Sequence, residues 1–132
     1  LKHHLVVARA LERDRRVLAR FIGSREVEDP GNRQFPTLER LRKSVPDAHI
    51  AASTNSLTAH KQMVLAGLGV AILPDLMVRA ELESGVLASV LPDAELEFPL
   101  LCLSRTGTVW SAPAKAYLGE LEAALAEARV HA

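Results

Sequence analysis

Residues 68–73 read Leu-Gly-Val-Ala-Ile-Leu, an unbroken apolar run closed in front by Gly67 and behind by Pro74. Such a run offers no polar face to water. It is far too short for a membrane span and suits a strand covered on both faces, as in a sheet held between layers of helices. That requirement sets the search for the covering elements.

The flanks supply them. Thr54, Asn55 and Ser56 are three successive side chains able to accept backbone N–H groups at a helix start. The helix predicted behind them runs through Leu57, Met63, Val64 and Ala66 and stops at Gly67, a natural left-handed terminator. Pro74-Asp75 opens another helix through Leu76, Val78, Ala80 and Leu82, closed by Ser84-Gly85. Pro36 and Thr37 open a third, through Leu38, Leu41 and Arg42, with Pro46 stopping it. Ser111 caps a long terminal helix, with Pro113 in its first turn and a stripe of Ala114, Tyr117, Leu118, Leu121, Leu125 and Ala128.

Strands are predicted at residues 5–8, at Phe21-Ile22, and over 48–53, 86–91 and 96–103. For the first, the spacing of Val7, Leu11, Val17, Leu18, Phe21 and Ile22 leaves a helix open. Pro92-Asp93 ends the fourth, and Pro99 places part of the last at an edge or at a crossing between lobes. Residues 11–20 are dense in charge and read as solvated. Residues 24–32, with Pro30-Gly31, read as a loop. Strands and helices alternate, so the expected class is α/β with a mainly parallel sheet.

Charge and composition narrow the function. Sixteen basic and sixteen acidic side chains cancel, so this stretch lacks the basic surplus needed to grip nucleic acid by itself. Cys102 is the single cysteine. No intrachain disulfide is available, and its apolar neighbours suggest a buried, inert thiol. The histidines at 3, 4, 49, 60 and 131 lack a compact metal spacing, and no nucleophile elbow or phosphate loop occurs. Glu81 and Glu83 are close in sequence but not on one helix face. The expectation is therefore no catalytic residue, no metal and no cofactor. No signal peptide or membrane segment is visible, the chain starts on Leu, and it reads as a cytoplasmic fragment of something longer.

Residues 54–74, TNSLTAHKQMVLAGLGVAILP, resemble the effector-binding domain of LysR-type transcriptional regulators. In that family a strand ends in a short polar residue, a helix follows, and a Gly-x-Gly turn leads into a strand ending in Pro. The Leu-x-x-Gly-x-Leu element at residues 82–87, the Leu91-Pro92 turn and the Ser111-Ala112-Pro113-Ala114 helix start extend the likeness over residues 48–125. The resemblance implies a periplasmic-binding-protein-like (type II) fold. Residues 1–95 would form most of lobe II, and 96–132 the returning strand and terminal helix of lobe I. It also implies a homodimer or homotetramer, and DNA contact only through an N-terminal winged helix-turn-helix that these residues do not include.

Within that frame a small organic acid is the expected effector, since a helix N-terminus carries positive partial charge and unpaired N–H groups. The ligand-binding candidates are Thr54, Asn55, Ser56 and Leu57 at the helix start and Gly67 and Gly69 as backbone that a ligand could approach. Ala8 and Arg9 join them at the tip of the first strand, Arg9 to pair with an acid. Plainer readings stand beside these: Ser56 as an N-cap only, Gly67 as a helix stop, Arg9 as an ordinary surface side chain, His60 as a surface or interface histidine. Two other functions remain open, an oligomerisation module and a solute-binding protein of a transport system.

Overall fold

The computed structural model describes residues 1–91 and 96–130, side chains 128–130 excepted. The elements are β1 (Lys2–Ala8), a 3-10 turn (Arg9–Leu11), α1 (Arg15–Leu18), β2 (Arg20–Gly23), α2 (Phe35–Ser44), β3 (His49–Ser53) and α3 (Leu57–Leu65). They continue with β4 (Ala71–Pro74), α4 (Asp75–Ser84), β5 (Leu87–Val90), β6 (Leu96–Glu97) and α5 (Ala112–Val130). The Pro92-Asp93 strand end, and with it Pro92 of the Leu91-Pro92 turn, lies outside the described residues.

β2 and β3 pair in parallel. A parallel bridge between Phe21 and Val70 joins them to the start of β4, with Ile22 N–H donating to Val70 O at 2.8 Å and Val70 N–H to Arg20 O at 2.8 Å. β4, in turn, pairs antiparallel with β1, which pairs antiparallel with β5 and, through its first residues, with β6. The strands therefore stand in the order β3-β2-β4-β1-β5, with β6 beside Lys2 and His3. The α/β class expected from sequence holds. The expectation of a mainly parallel sheet needs one correction: β1 runs against all the others, and every ladder it makes is antiparallel. The residues of β1 do not encode that direction, which is fixed by where the chain enters the sheet.

Period-two alternation divides the core into two layers. Leu5, Val7, Phe21, Val70 and Ile72 face α2, meeting Leu38 and Leu41 together with Val27 of the loop between β2 and α2. Val6, Ile22, Ala71 and Leu73 face α3 and α4, meeting Val64 and Val78. The apolar run is thus covered on both faces. At roughly 25 cal/mol per Å² of apolar surface removed from water, these two layers are the main source of stability.

Helix ends follow their local signals. Asp14 caps α1 through Arg16 N–H and Val17 N–H. α3 closes in a Schellman arrangement: Leu68 N–H reaches Met63 O, Gly67 N–H reaches Val64 O, and Gly67 sits at φ +81°. Gly69 has a different reason for being glycine. A Cβ there would lie 2.2 Å from the carbonyl oxygen of Arg20, where β4 approaches β2.

Two sequence expectations fail toward the C-terminus. The strand predicted over 96–103 ends at Glu97, because Pro99 has no N–H to continue the ladder. Cys102 is consequently exposed and not buried. The stripe on α5 is not a covered core face among the described residues: Tyr117 is 72% exposed, and Leu100, Leu101 and Leu103 just before the helix are exposed as well.

Candidate functional site

Strand direction sorts the candidate residues into two groups. β2, β3 and β4 end at one rim of the sheet, in Gly23-Ser24, Ser53-Thr54 and Pro74-Asp75. The start of β1 lies at the same rim, since His3 pairs with Pro74. Thr54, Asn55, Ser56 and Leu57 all stand there. Ala8, Arg9, Gly67 and Gly69 stand at the opposite rim, beside Arg20 and Val86. The expectation that the tip of β1 faces the same place as the Ser56 turn is therefore overturned. Because β1 is antiparallel, its carboxyl end points away. Arg9 instead pairs weakly with Glu12 at 3.4 Å. Gly67 serves helix closure and Gly69 the approach of β4 to β2.

At the first rim the Ser56 turn is exposed and tightly specified. Ser56 Oγ accepts from Ala59 N–H at 3.2 Å, capping α3. Thr54 Oγ1 accepts from Ser56 N–H at 3.2 Å. The first two helical N–H groups, of Leu57 and Thr58, have no acceptor within the helix by its geometry. They are the donors a bound anion would meet.

His60 fixes this turn from beneath. Sequence spacing suggested a surface or interface histidine, but the ring is 1% exposed. Its Nε2 lies 2.7 Å from Thr54 O and 3.2 Å from Gly23 O. Both partners are carbonyls, so Nε2 carries the hydrogen and donates to them. Nδ1 is buried with no partner among the described residues. Burial follows from helical spacing: His60 and Val64 lie one turn apart on the inward face of α3.

The loop of residues 24–34 is built against the same turn. Gln34 Oε1 accepts from Ser24 N–H at 2.9 Å, and Asn55 Oδ1 accepts from Arg25 N–H at 3.0 Å. Ser53 Oγ donates to Ser24 O at 3.2 Å, and Asn32 Nδ2 donates to Arg25 O at 3.2 Å. Val27 anchors the loop in the core. Asn55 thus has a structural partner, and Arg25 is a basic residue whose backbone is held beside the Ser56 turn. Sequence reading chose Arg9 and passed over Arg25. The cue available was its place directly after a strand whose end lies next to that of β3.

The second helix start at this rim is already filled. Asp75, at the first position of α4, accepts from His4 Nε2 at 2.7 Å and from Arg79 Nε at 2.9 Å. Burial pushes its carboxyl upward, but the hydrogen bonds from His4 and Arg79 outweigh this and hold it below its usual value. A further link joins α3 and α4: Lys61 Nζ reaches Glu81 at 2.6 Å and Met77 O at 2.8 Å. Glu81 is held low, first by that hydrogen bond from Lys61. A groove of about 530 Å³ lies elsewhere, lined by Leu1, Glu97, Pro99, Leu100 and Leu125, and includes none of the sequence candidates. Among the described residues no group of three or more His, Cys, Asp or Glu is placed to hold a metal ion. No helix among them is long and apolar enough to cross a membrane.

The profile of the LysR substrate binding domain matches residues 2–126. The chain belongs to this family. It is the family of regulatory, effector-binding domains of LysR-type transcription regulators and not an enzyme family. Among solved structures, this LysR-type domain is similar to the regulatory domain of the HypT M206Q mutant from Salmonella typhimurium. The TM-score is 0.57 at 18% identity, over 95% of this chain and 64% of that one. It is also similar to the C-terminal domains of a LysR family protein from Agrobacterium tumefaciens str. C58, with TM-score 0.47, 20% identity and coverage of 70% and 47%. The regulatory domain of AphB treated with cumene hydroperoxide, from Vibrio vulnificus, gives TM-score 0.46, 17% identity and coverage of 70% and 50%. The chain thus spans roughly half to two thirds of the length of these structures. No curated protein sequence matches it significantly. The HypT likeness supports the periplasmic-binding-protein-like fold of the LysR-type domain.

Proposed function

We propose that the chain is the effector-sensing portion of a LysR-type regulator and binds a small organic anion at the rim formed by Thr54, Ser56 and Leu57. The observation that carries this is the exposed start of α3, where Leu57 and Thr58 are exposed and their N–H groups precede the first intrahelical acceptor beside a Ser56 cap. In this reading residues 1–95 make up lobe II and residues 96–132 the returning strand and terminal helix of lobe I, and the ligand sits in the cleft between lobes. Binding that favours one lobe arrangement shifts the population toward it and re-aims DNA-binding helices carried elsewhere in a cytoplasmic regulator.

The test is calorimetric titration of the complete two-lobe protein with a panel of mono-, di- and aromatic carboxylates, repeated on Ser56→Asp. Aspartate preserves the cap but places negative charge where the anion would sit. Binding by wild type and its loss in a folded Ser56→Asp protein support the reading. No heat with any carboxylate, or equal affinity in both proteins, rejects it.

A second reading rests on a different observation, the exposed apolar side chains Leu100, Leu101, Leu103 and Tyr117. These suit burial by lobe I and by a second copy, as in a homodimer or homotetramer. Sedimentation of the two-lobe protein checks this, and a monomer at high concentration counts against the contribution of a second copy.

A further inference from the structure

Residues 9–20 hold five arginines against two acids, Glu12 and Asp14, in a chain that is neutral overall. The fold gathers them at the rim opposite the Ser56 turn, where β1 ends and β2 and β4 begin. Asp14 N–H donates to Leu11 O at 3.0 Å, closing the turn that carries Arg13. Leu11 lies over Gly67, where an added Cβ would come 2.8 Å from Leu11 Cδ1. Arg15 Nη2 donates to Ser44 O at 3.3 Å, at the end of α2 and next to Lys43 in the chain. Arg20 Nε donates to Leu68 O at 2.8 Å. The segment from Leu11 to Arg20 is thus a strap laid between the end of α2 and the turn that closes α3.

A solvated surface usually intersperses both signs of charge. Here the acids are already engaged. Glu12 pairs with Arg9 at 3.4 Å, and Asp14 Oδ1 accepts from Arg16 N–H and Val17 N–H at 3.0 and 3.4 Å. Arg13, Arg15, Arg16, Arg20 and Lys43 are exposed, and none of them has an ion-pair partner among the described residues. The carbonyl bonds of Arg15 and Arg20 fix where these guanidinium groups stand while leaving other N–H donors of each fork open. Like charges gathered in this way repel one another and gain by meeting an anionic partner.

Leu68 separates the kinds of anion. Its side chain is 49% exposed, and its carbonyl is the one held by Arg20. Arginines around an open apolar side chain match the composition of protein interfaces, which are enriched in arginine and poor in lysine. A nucleic-acid backbone would use the cations and leave Leu68 without a partner. We propose that this rim is a docking surface for an acidic segment of a partner protein, with carboxylates meeting Arg13, Arg16, Arg20 and Lys43 and an apolar side chain seated on Leu68. Because the Ser56 turn lies at the other rim, this surface does not depend on any effector site.

The experiment is fluorescence anisotropy on the full chain with a labelled peptide in which glutamates and aspartates flank one central leucine. A second peptide carries serine in place of that leucine, and a labelled DNA duplex serves as the competing polyanion. The test variant is Arg13→Glu combined with Arg16→Glu, since neither side chain has a hydrogen-bond or ion-pair partner among the described residues. Lys115→Glu, on α5, is the control, and circular dichroism shows that both variants are folded. The expected result is saturable binding of the leucine peptide, weakened about tenfold or more by the double reversal and unchanged in the control. Binding also weakens as salt rises from about 0.05 to about 0.2 M. Absence of saturable binding overturns the proposal, as does equal affinity in a folded double variant. Equal affinity for the serine peptide, or tighter binding of the duplex, overturns it in favour of a general polyanion surface. Self-association that the double reversal abolishes, without peptide binding, assigns the rim to a second copy instead.

Discussion

Gly69 faces the backbone carbonyl of Arg20 so closely that a methyl group on its Cα would lie 2.2 Å from the oxygen. The neighbour is main chain in a strand and cannot rotate aside. Gly69→Ala must push β4 away from β2, breaking the Val70–Arg20 hydrogen bond. The expected loss is about 1–3 kcal/mol or more, in the range of overpacked cores. Urea unfolding monitored by circular dichroism checks it, and a change below about 0.5 kcal/mol would contradict the steric account.

Ser56→Ala removes the acceptor for Ala59 N–H at the start of α3. The expected cost is about 0.5–2 kcal/mol, with Ser56→Asp close to wild type because aspartate caps equally well. Thermal melts of the three proteins give the comparison. An alanine variant as stable as wild type would mean that the cap contributes nothing.

Gln34 is buried, and its side-chain oxygen is the acceptor for Ser24 N–H. Gln34→Ala leaves that N–H without a partner, at an expected cost of about 1–3 kcal/mol. The loop it holds contains Arg25, so the variant should be cut by trypsin at Arg25 faster than wild type. Mapping early fragments by mass spectrometry decides the matter, and unchanged cleavage would show the loop to be held by other bonds.

Asp75 makes a pH prediction. Its carboxyl is held low in the folded protein by His4 and Arg79 despite burial. A depressed acid contributes stability above its unfolded value of 3.8, and that contribution disappears as pH falls through the lower folded value. Wild type should therefore lose its advantage over Asp75→Asn only below about pH 4. Denaturant midpoints for both proteins from about pH 6 to about pH 2.5 trace the difference. A gap independent of pH would assign the role of Asp75 to shape and not charge.

Features set by neighbouring residues were legible in the chain. The Ser56 cap, the Gly67 and Gly85 stops, the Pro46 stop and the doubly covered run at 68–73 each need only a few adjacent residues to be recognised. The direction of β1 is a property of the assembled sheet. Missing it placed Ala8 and Arg9 at the rim of the Ser56 turn in the sequence reading, whereas Gly67 and Gly69 lie at the other rim because they precede β4. The burial of His60 was hidden for a similar reason: a polar ring on an inward helix face is acceptable only because Thr54 O and Gly23 O await it there. Arg25 was missed because its position depends on the adjacency of β2 and β3. At residues 98–103 the apolar composition suggested strand and a buried Cys102, yet after Pro99 no neighbouring strand among the described residues takes up the backbone.

β1 finds its partners far along the chain: Ala71 to Pro74, then Leu87 to Val90, then Leu96 and Glu97. On a translating ribosome β1 therefore emerges before any of these partners, and its Leu5-Val6-Val7 stretch waits for them until β4 has been made. Such late closure is slow and leaves an adhesive edge in the meantime. Synthesis that stalls before Ala71 should yield a nascent chain dependent on chaperones, whereas one that has passed Glu97 holds every strand paired in this sheet among the described residues.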